Sequence, residues 1–221
     1  MSSCCRPESY GAFFSKKAAQ RALRRYRRRG LDRLSARVAD VVRSHGVRGA
    51  TVLEVGGGIG ALEVELLEAG AERATNIELS PEYEEAAVEL ARERGVEQQL
   101  ERRIGDFAGD SDAPEADAVV MNRVVCCYPD YETLVGAAAD RARRLLVFSF
   151  PRERALVRAA FGLMNLWLRA TRNDFRGFVH PVRAMLDVAQ GRGLTPVVQQ
   201  RGLFWQIAVL ERTAQPPASA V

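Results

Sequence analysis

Apolar residues follow two different spacings along the chain, and these spacings predict the order of strands and helices. Short runs rich in apolar residues are typical of buried strands, and they occur at 50–55, 74–79, 116–121 and 145–150. A further strand is predicted over 99–104, which is more polar. Between these runs, apolar residues recur at every third or fourth position, which is the spacing of one helix face. Strands that alternate with helices in this way predict a parallel, doubly wound α/β sheet.

The C-terminal part of the pattern departs from this alternation. Two strand-like runs, 194–200 and 203–211, are separated only by Arg201 and Gly202. A link this short joins antiparallel strands, because parallel strands need a crossover of about a dozen residues or more. The sequence therefore predicts a mostly parallel sheet that ends in an antiparallel hairpin.

Helical patterns lie outside this alternation at both ends. Two helices, 15–29 and 31–45, are predicted before the first strand, and Gly30 separates them. A strongly apolar helix over 152–170 and a shorter one over 181–191 precede the hairpin. The expected organisation is an N-terminal helical segment or lid over 1–48, a main domain over 49–213 with a cap over about 151–180, and a flexible tail over 214–221.

Composition narrows the class of protein. Apolar residues make up 47% of the 221 residues, which is enough for a full core, and no apolar run is long enough to cross a bilayer. The first residues contain no apolar leader, so we expect a cytoplasmic protein with reduced cysteines. The pairs Cys4–Cys5 and Cys126–Cys127 do not have metal-ligand spacing, so no metal site is predicted.

The net charge of +4 is concentrated near the N-terminus. Nine basic residues lie between Lys16 and Arg33, against one acid, Asp32. We interpret this segment first as a solvated surface, second as a patch for an anionic substrate and third as a nucleic-acid contact. Tyr26 is the one aromatic residue in it, so nucleic acid is not the expected partner. Three aromatic residues ahead of it are expected to belong to a lid: Tyr10, Phe13 and Phe14.

A glycine-rich turn follows the first strand. In Thr51–Leu62, four glycines fall within five positions and a helical pattern begins directly after them. Glycine allows a sharp turn and a close approach to a ligand, and a helix N-terminus offers free N–H groups. A nucleotide-like ligand is therefore predicted. Gly56-x-Gly58-x-x-Ala61 matches the dinucleotide fingerprint, whereas Gly56-x-Gly58-x-Gly60 after Glu54 matches the first motif of S-adenosylmethionine-dependent methyltransferases.

Three acids fall at strand ends that meet at the ligand edge of such a sheet. Glu54 precedes the first glycine, where it would favour a cationic ligand. Glu78 ends the second strand, where a carboxylate can accept hydrogen bonds from both ribose hydroxyls. Asp106 ends the third strand and can accept the adenine amino group, with Phe107 packing on the ring. The loop has acids and no basic residue around it, which favours a cationic ligand over a pyrophosphate.

Residues 50–150 resemble the domain of class I S-adenosylmethionine-dependent methyltransferases. The resemblance rests on Val-Leu-Glu-Val-Gly-Gly-Gly-Ile-Gly, on Asn-Ile-Glu-Leu-Ser and on Gly-Asp-Phe. It implies a Rossmann-like, mostly parallel seven-stranded sheet with a terminal hairpin, and S-adenosylmethionine as cofactor. Gly57 departs from the family pattern, and we expect this departure to be sterically harmless. The resemblance implies these cofactor-binding residues: Glu54, Gly56, Gly58 and Gly60 at the amino-acid part, Glu78 and Leu79 at the ribose, Asp106 and Phe107 at the adenine, and Asn122 beside them.

A looser resemblance, to magnesium-protoporphyrin O-methyltransferases, covers the last half of the chain. It rests on 122–130, on 148–152 and on Gly-Leu-Phe-Trp-Gln at 202–206. It does not assign that substrate to this chain.

Residues after the fourth strand are candidates for the acceptor side. Arg123 could hold a carboxylate of the substrate, and Tyr128 could line the donor or acceptor pocket. His180 is the candidate general base, because His45 precedes the first strand at the opposite edge. The alternative for His180 is a capping or structural role.

Three functions remain open from the sequence. The first is a methyltransferase acting on a small, partly apolar and anionic acceptor, most readily at oxygen. The second is a tRNA or rRNA methyltransferase. The absence of an Asn-Pro-Pro-Tyr type signature after the fourth strand counts against this function. The third is a non-catalytic subunit that binds the donor. The sequence gives no indication of the oligomeric state.

Overall fold

The computed structural model describes residues 14–212. Tyr10, Phe13, the first cysteine pair and the predicted tail lie outside this range. Within it, seven strands are found: β1 Thr51–Val55, β2 Arg73–Glu78, β3 Leu100–Ile104, β4 Ala116–Asn122, β5 Ala142–Pro151, β6 Leu194–Arg201 and β7 Trp205–Arg212. The helices in this range are α1 Lys16–Arg29, α2 Arg33–Ser44, α3 Ala61–Glu68, α4 Glu84–Arg94, α5 Tyr131–Arg141, α6 Ala155–Ala170 and α7 Val182–Gln190.

The strands form one sheet in the order β3-β2-β1-β4-β5-β7-β6. β1 to β5 pair in parallel, and β7 pairs antiparallel with both β5 and β6. The predicted mostly parallel seven-stranded sheet with a terminal hairpin is therefore confirmed. The order reverses between β1 and β4, and the crevice at the carboxyl ends of strands beside such a reversal is where doubly wound sheets bind ligands.

Helices cover both faces of the sheet. α1 to α4 pack on one face around buried Leu23, Val38 and Leu66, and α5 and α7 pack on the other around Leu134 and Met185. The two N-terminal helices thus share their core with the sheet, and the boundary at residue 48 stays a prediction. No helix among residues 14–212 is long and apolar enough to cross a membrane.

Several element boundaries differ from the predicted ones for local reasons. The helix expected from Ile59 begins at Ala61, because Gly60 adopts a left-handed conformation with φ 76°. Ser15 makes no side-chain cap to α1. The next helix, α2, does have a side-chain cap: Asp32 accepts hydrogen bonds from the backbone N–H groups of Leu34 and Ser35.

Candidate active site

A cavity of about 300 Å³ opens at the carboxyl ends of β1, β2 and β4. It is also lined by residues of the two N-terminal helices and the link between them, which the sequence did not connect with the site: Ala22, Leu31 and Ser35. Two of the predicted site residues, Gly60 and His180, are not among its lining. The predicted residues that line it are Glu54, Gly56, Gly58, Glu78, Leu79, Asp106, Phe107, Asn122, Arg123 and Tyr128.

The glycine loop adopts backbone conformations that require glycine. Gly56, Gly58 and Gly60 have φ of 65°, 60° and 76°, in the left-handed region. A Cβ at Gly60 would lie 2.2 Å from Oε1 of Glu63. Gly60 therefore accommodates a buried acid behind the loop, whereas Gly56 and Gly58 face the cavity.

Glu78 ties the glycine loop to the end of β2. Its Oε2 accepts a hydrogen bond from the backbone N–H of Gly58 at 2.8 Å, and its Oε1 accepts one from Ser80 at 2.9 Å. Burial raises the pKa of this carboxyl, and the two N–H groups act in the opposite direction. Each carboxylate oxygen has a second lone pair, so Glu78 can still accept hydrogen bonds from ribose hydroxyls.

A buried polar cluster lies behind the loop and was missed from the sequence. Glu63 accepts hydrogen bonds from Nδ2 of Asn76 at 2.9 Å and from Nη1 of Arg102 at 3.2 Å. Nη2 of Arg102 also donates to the carbonyl of Gly58 at 3.0 Å, which holds the loop from the far side. The partners come from α3, β2 and β3, so no local sequence signal could have joined them.

Glu54 is the acid best placed for a cationic ligand. It is 3% exposed, it lines the cavity, and its Oε2 has no hydrogen-bond partner among the described residues. Burial and the neighbouring Glu63 raise its pKa well above the ordinary value. A buried carboxylate oxygen without a partner is costly, and a ligand ammonium would satisfy it.

Gly57, the position that departs from the family pattern, is packed tightly by the side chains behind the loop. A Cβ at Gly57 would lie 2.1 Å from Nδ2 of Asn76 and 2.8 Å from the Glu54 carboxyl carbon. Both side chains are buried, and Asn76 is held by Glu63. The polar cluster behind the loop therefore leaves room at this position for glycine alone.

Asp106 and Tyr128 are joined across the cavity. The phenol of Tyr128 donates to Oδ2 of Asp106 at 3.0 Å, while Oδ1 of Asp106 accepts from the backbone N–H of Ala108 at 3.1 Å. Phe107, next to Asp106, is buried in the core on the face of the sheet that α5 and α7 cover. The two residues predicted for the adenine are thus neighbours in the structure, and Tyr128 contacts one of them, Asp106.

α2 closes the end of β4. Nδ2 of Asn122 donates to Oγ of Ser35 at 2.9 Å, and Ser149 donates to its Oδ1 at 2.8 Å. The guanidinium of Arg123 donates a hydrogen bond to Asp32, the cap of α2. Burial acts to raise the pKa of Asp32, but the contact with Arg123 outweighs it and the pKa is lowered. Arg123 has φ 64°, which is uncommon for a residue with a side chain and is often found at functional sites.

Comparisons with known proteins agree with this geometry. The family model for a methyltransferase domain matches residues 20–200. The chain belongs to the methyltransferase family. It is an S-adenosylmethionine-dependent methyltransferase, and S-adenosylmethionine is its methyl donor. No curated protein sequence matches the chain.

Solved structures show the same fold at low sequence identity. Magnesium protoporphyrin IX methyltransferase from Synechocystis PCC 6803 with bound S-adenosylhomocysteine is 20% identical, with a TM-score of 0.66 over 81% of this chain and 82% of that one. An O-methyltransferase family 2 protein from Planctomyces limnophilus, in complex with apigenin, is 20% identical, with a TM-score of 0.67 over 90% and 62%. An O-methyltransferase family protein from Burkholderia thailandensis is 19% identical, with a TM-score of 0.67 over 85% and 58%.

His180 lies behind the methyltransferase site and not in its cavity. Its Nε2 lies 3.1 Å from the carbonyl oxygen of Val125 and 2.9 Å from that of Tyr128. Two carbonyl acceptors require a proton on Nε2, so this nitrogen donates and does not accept. Burial lowers the pKa of the ring. The contacts support the structural alternative, in which His180 holds the turn that carries Tyr128.

Replacing His180 by alanine is expected to reduce stability by about 2 kcal/mol, because the carbonyls of Val125 and Tyr128 lose the hydrogen bond from Nε2. The pH profile of methyl transfer should keep its shape, since no base is removed. Urea unfolding and initial rates between pH 6 and 9 check both parts. If the His180→Ala variant unfolds like the wild type but loses a rate limb near neutral pH, His180 is a base after all.

The acid cluster predicts a pH effect on stability. Burial raises the pKa of Glu63 from 4.5 to about 7. A raised pKa in the folded state favours folding at low pH, so this contribution is present below pH 4.5 and is lost as the pH rises to about 7. In Glu63→Gln this decline should disappear. Unfolding free energies measured at several pH values for both proteins test it, and parallel curves would contradict it.

Proposed function

We propose that this methyltransferase transfers the methyl group to an oxygen atom of a small, partly apolar acceptor that carries an anionic group. The observation that carries the proposal is the enclosure of the cavity by α1 and α2. Ala22, Leu31 and Ser35 line the cavity together with the glycine loop, and a cavity of about 300 Å³ is at the small end of the range for ligand pockets. Such an enclosure suits a small molecule and not a folded nucleic acid.

Arg123 supports the anionic part of the proposal. It lines the cavity, and its Nη2 donates to Asp32. A guanidinium has five N–H groups in a planar fork. An acceptor carboxylate can therefore bind Arg123 beside Asp32, and the adjacent Asn122 is held in place by Ser35.

The proposed mechanism relies on positioning. Glu54 would hold the cationic amino-acid part of the donor, Glu78 the ribose, and Asp106 with Phe107 the adenine. When bound, S-adenosylmethionine supplies an electrophilic methyl group on a positively charged sulfur. Arg123 and the apolar walls would orient the acceptor oxygen in line with that methyl group and exclude water, which contributes much of the acceleration. A carboxylate acceptor is already ionised at neutral pH and needs no dedicated base, which fits the placement of His180.

The names of the structural neighbours support the same acceptor class. Two of the neighbours are named as O-methyltransferases and one as a magnesium protoporphyrin IX methyltransferase. Their identities to this chain are 19–20%, so the choice of oxygen rests on analogy with them. A cytoplasmic location is part of the proposal.

RNA is the second candidate acceptor because α1 carries exposed arginines. Arg24, Arg25, Arg28 and Arg29 are exposed and form no ion pair with a described residue.

Other cations of α1 are neutralised by α4, since Arg27 pairs with Glu89 and Glu93, and Lys16 pairs with Glu85. This pairing supports the solvated-surface interpretation of the helix.

A labelled-methyl assay tests the proposal. The wild type is incubated with methyl-labelled S-adenosylmethionine and, separately, phenolic acids, carboxylic acids, porphyrins and bulk tRNA. We expect label in a small anionic molecule, as an ether or as an ester that releases methanol in alkali. Arg123→Met should raise KM for that acceptor by about 30-fold, the loss of one charge-assisted contact, with donor affinity unchanged. Label in tRNA, or on nitrogen only, would contradict the proposal.

A further inference from the structure

The outer face of α6 exposes an unusual set of large apolar side chains. Leu156, Leu163, Leu166 and Trp167 are 81%, 69%, 63% and 61% exposed. Leu156, Leu163 and Trp167 are seven and four residues apart, so they lie along one side of the helix. Soluble monomers rarely expose contiguous apolar surface of this kind without a binding partner. We refer to this surface as the α6 face.

The hairpin turn extends the α6 face. Phe204, in the turn between β6 and β7, stacks on Phe161 of α6 with ring centroids 6.0 Å apart. Leu203, next to it, is 88% exposed. Two separate elements thus present aliphatic side chains side by side.

The charges around the α6 face are almost all positive. Residues 152–176 contain six arginines and two acids. One of the acids, Glu153, already pairs with Arg158 at 2.5 Å. Arg154, Arg169 and Arg172 are exposed and form no ion pair with a described residue. An apolar stripe with tryptophan and leucine, bordered by arginines, is typical of helices that lie in the plane of a membrane interface.

We propose that the α6 face docks on an anionic lipid bilayer. The leucines and Trp167 would enter the region between headgroups and acyl chains, and the arginines would contact anionic headgroups. The charge argues against a second copy of the chain as the occupant, since pairing two such faces would bring like charges together.

Docking in this way would place the cavity next to the membrane. The inner face of α6, through Met164 and Leu168, packs in one cluster with Phe14, Leu79 and Cys127, which line the cavity. One helix diameter, about 10 Å, separates the two faces. The proposal does not depend on which acceptor is methylated.

Vesicle flotation tests the proposal with the full chain. Vesicles of phosphatidylcholine alone are compared with vesicles in which roughly one third of the lipid is phosphatidylglycerol. We expect the wild type to float with the anionic vesicles, and to be released by high salt. The variant Leu163→Glu/Trp167→Glu should bind at least about tenfold more weakly, since it places two charges in the apolar stripe. Val88→Glu, an exposed apolar position on α4, is the matched control and should bind as the wild type does.

Two further measurements check that the double variant is folded and that Trp167 enters the bilayer. Donor affinity of Leu163→Glu/Trp167→Glu should equal that of the wild type, which shows that the variant is folded and separates this proposal from the proposed function. The chain has two tryptophans, so in Trp205→Phe the emission of Trp167 should shift to the blue on anionic vesicles. A wild type that floats with neither vesicle, equal binding by the double variant, or a wild-type dimer that the double variant dissociates would overturn the proposal.

Discussion

Gly57→Ala is expected to abolish measurable donor binding and to lower the free energy of unfolding by about 3 kcal/mol. The added Cβ would lie 2.1 Å from Nδ2 of Asn76. Asn76 can move away only by giving up its hydrogen bond to the buried Glu63, and the alternative is displacement of the glycine loop, which we propose contacts the donor. Calorimetric titration with S-adenosylmethionine and urea unfolding measure the two effects.

Gly109→Ala is the matched control for this substitution. Gly109 has no atom within 4 Å of an added Cβ and its φ is not positive. Its replacement should leave both donor affinity and stability close to those of the wild type. If Gly57→Ala behaves like Gly109→Ala, the packing of the polar cluster against the loop is not as described.

Glu78→Ala is expected to weaken donor binding by about 100-fold, equivalent to about 3 kcal/mol. The substitution removes the acceptor of the Gly58 and Ser80 N–H groups, so the loop loses its anchor to β2, and the ribose loses the partner that we propose for it. Glu78→Gln keeps one carbonyl acceptor and should fall between the wild type and the alanine variant. Competition with S-adenosylhomocysteine gives the affinities.

An acid at the other end of the same strand serves as the control for Glu78. Glu72 precedes β2 and is exposed, so Glu72→Ala should leave donor affinity unchanged. Unaltered donor affinity in Glu78→Ala would show that the donor does not bind across this loop and strand end.

The sheet and the donor acids were predictable because their signals are local. Each signal is contained in a few consecutive residues: an apolar run of strand length, the short link before the last strand, and the acids near the ends of β1 and β2. The carboxyl ends of parallel strands lie at one edge of the sheet, so Glu54, Glu78 and Asp106 were expected to come together there. Their individual roles in donor binding stay predictions.

The rest of the site depends on contacts between distant residues. Arg102 reaches Glu63 from 39 positions away, and Arg123 reaches Asp32 from 91 positions away; neither pairing has a sequence signature. The same applies to Gly57, whose constraint comes from Asn76. The apolar pattern of α6 predicted a helix, yet it could not show that Leu163 and Trp167 face outward while Leu168 packs inward.

Titration of the wild type with S-adenosylmethionine, and separately with NAD, tests the central claim most directly. The claim is that the glycine loop and the acids at residues 54, 78 and 106 form a site for a cationic methyl donor. It predicts one S-adenosylmethionine bound per chain and no binding of NAD at the same concentrations. Binding of NAD in place of S-adenosylmethionine, or no binding of the methyl donor to the folded chain, would contradict it.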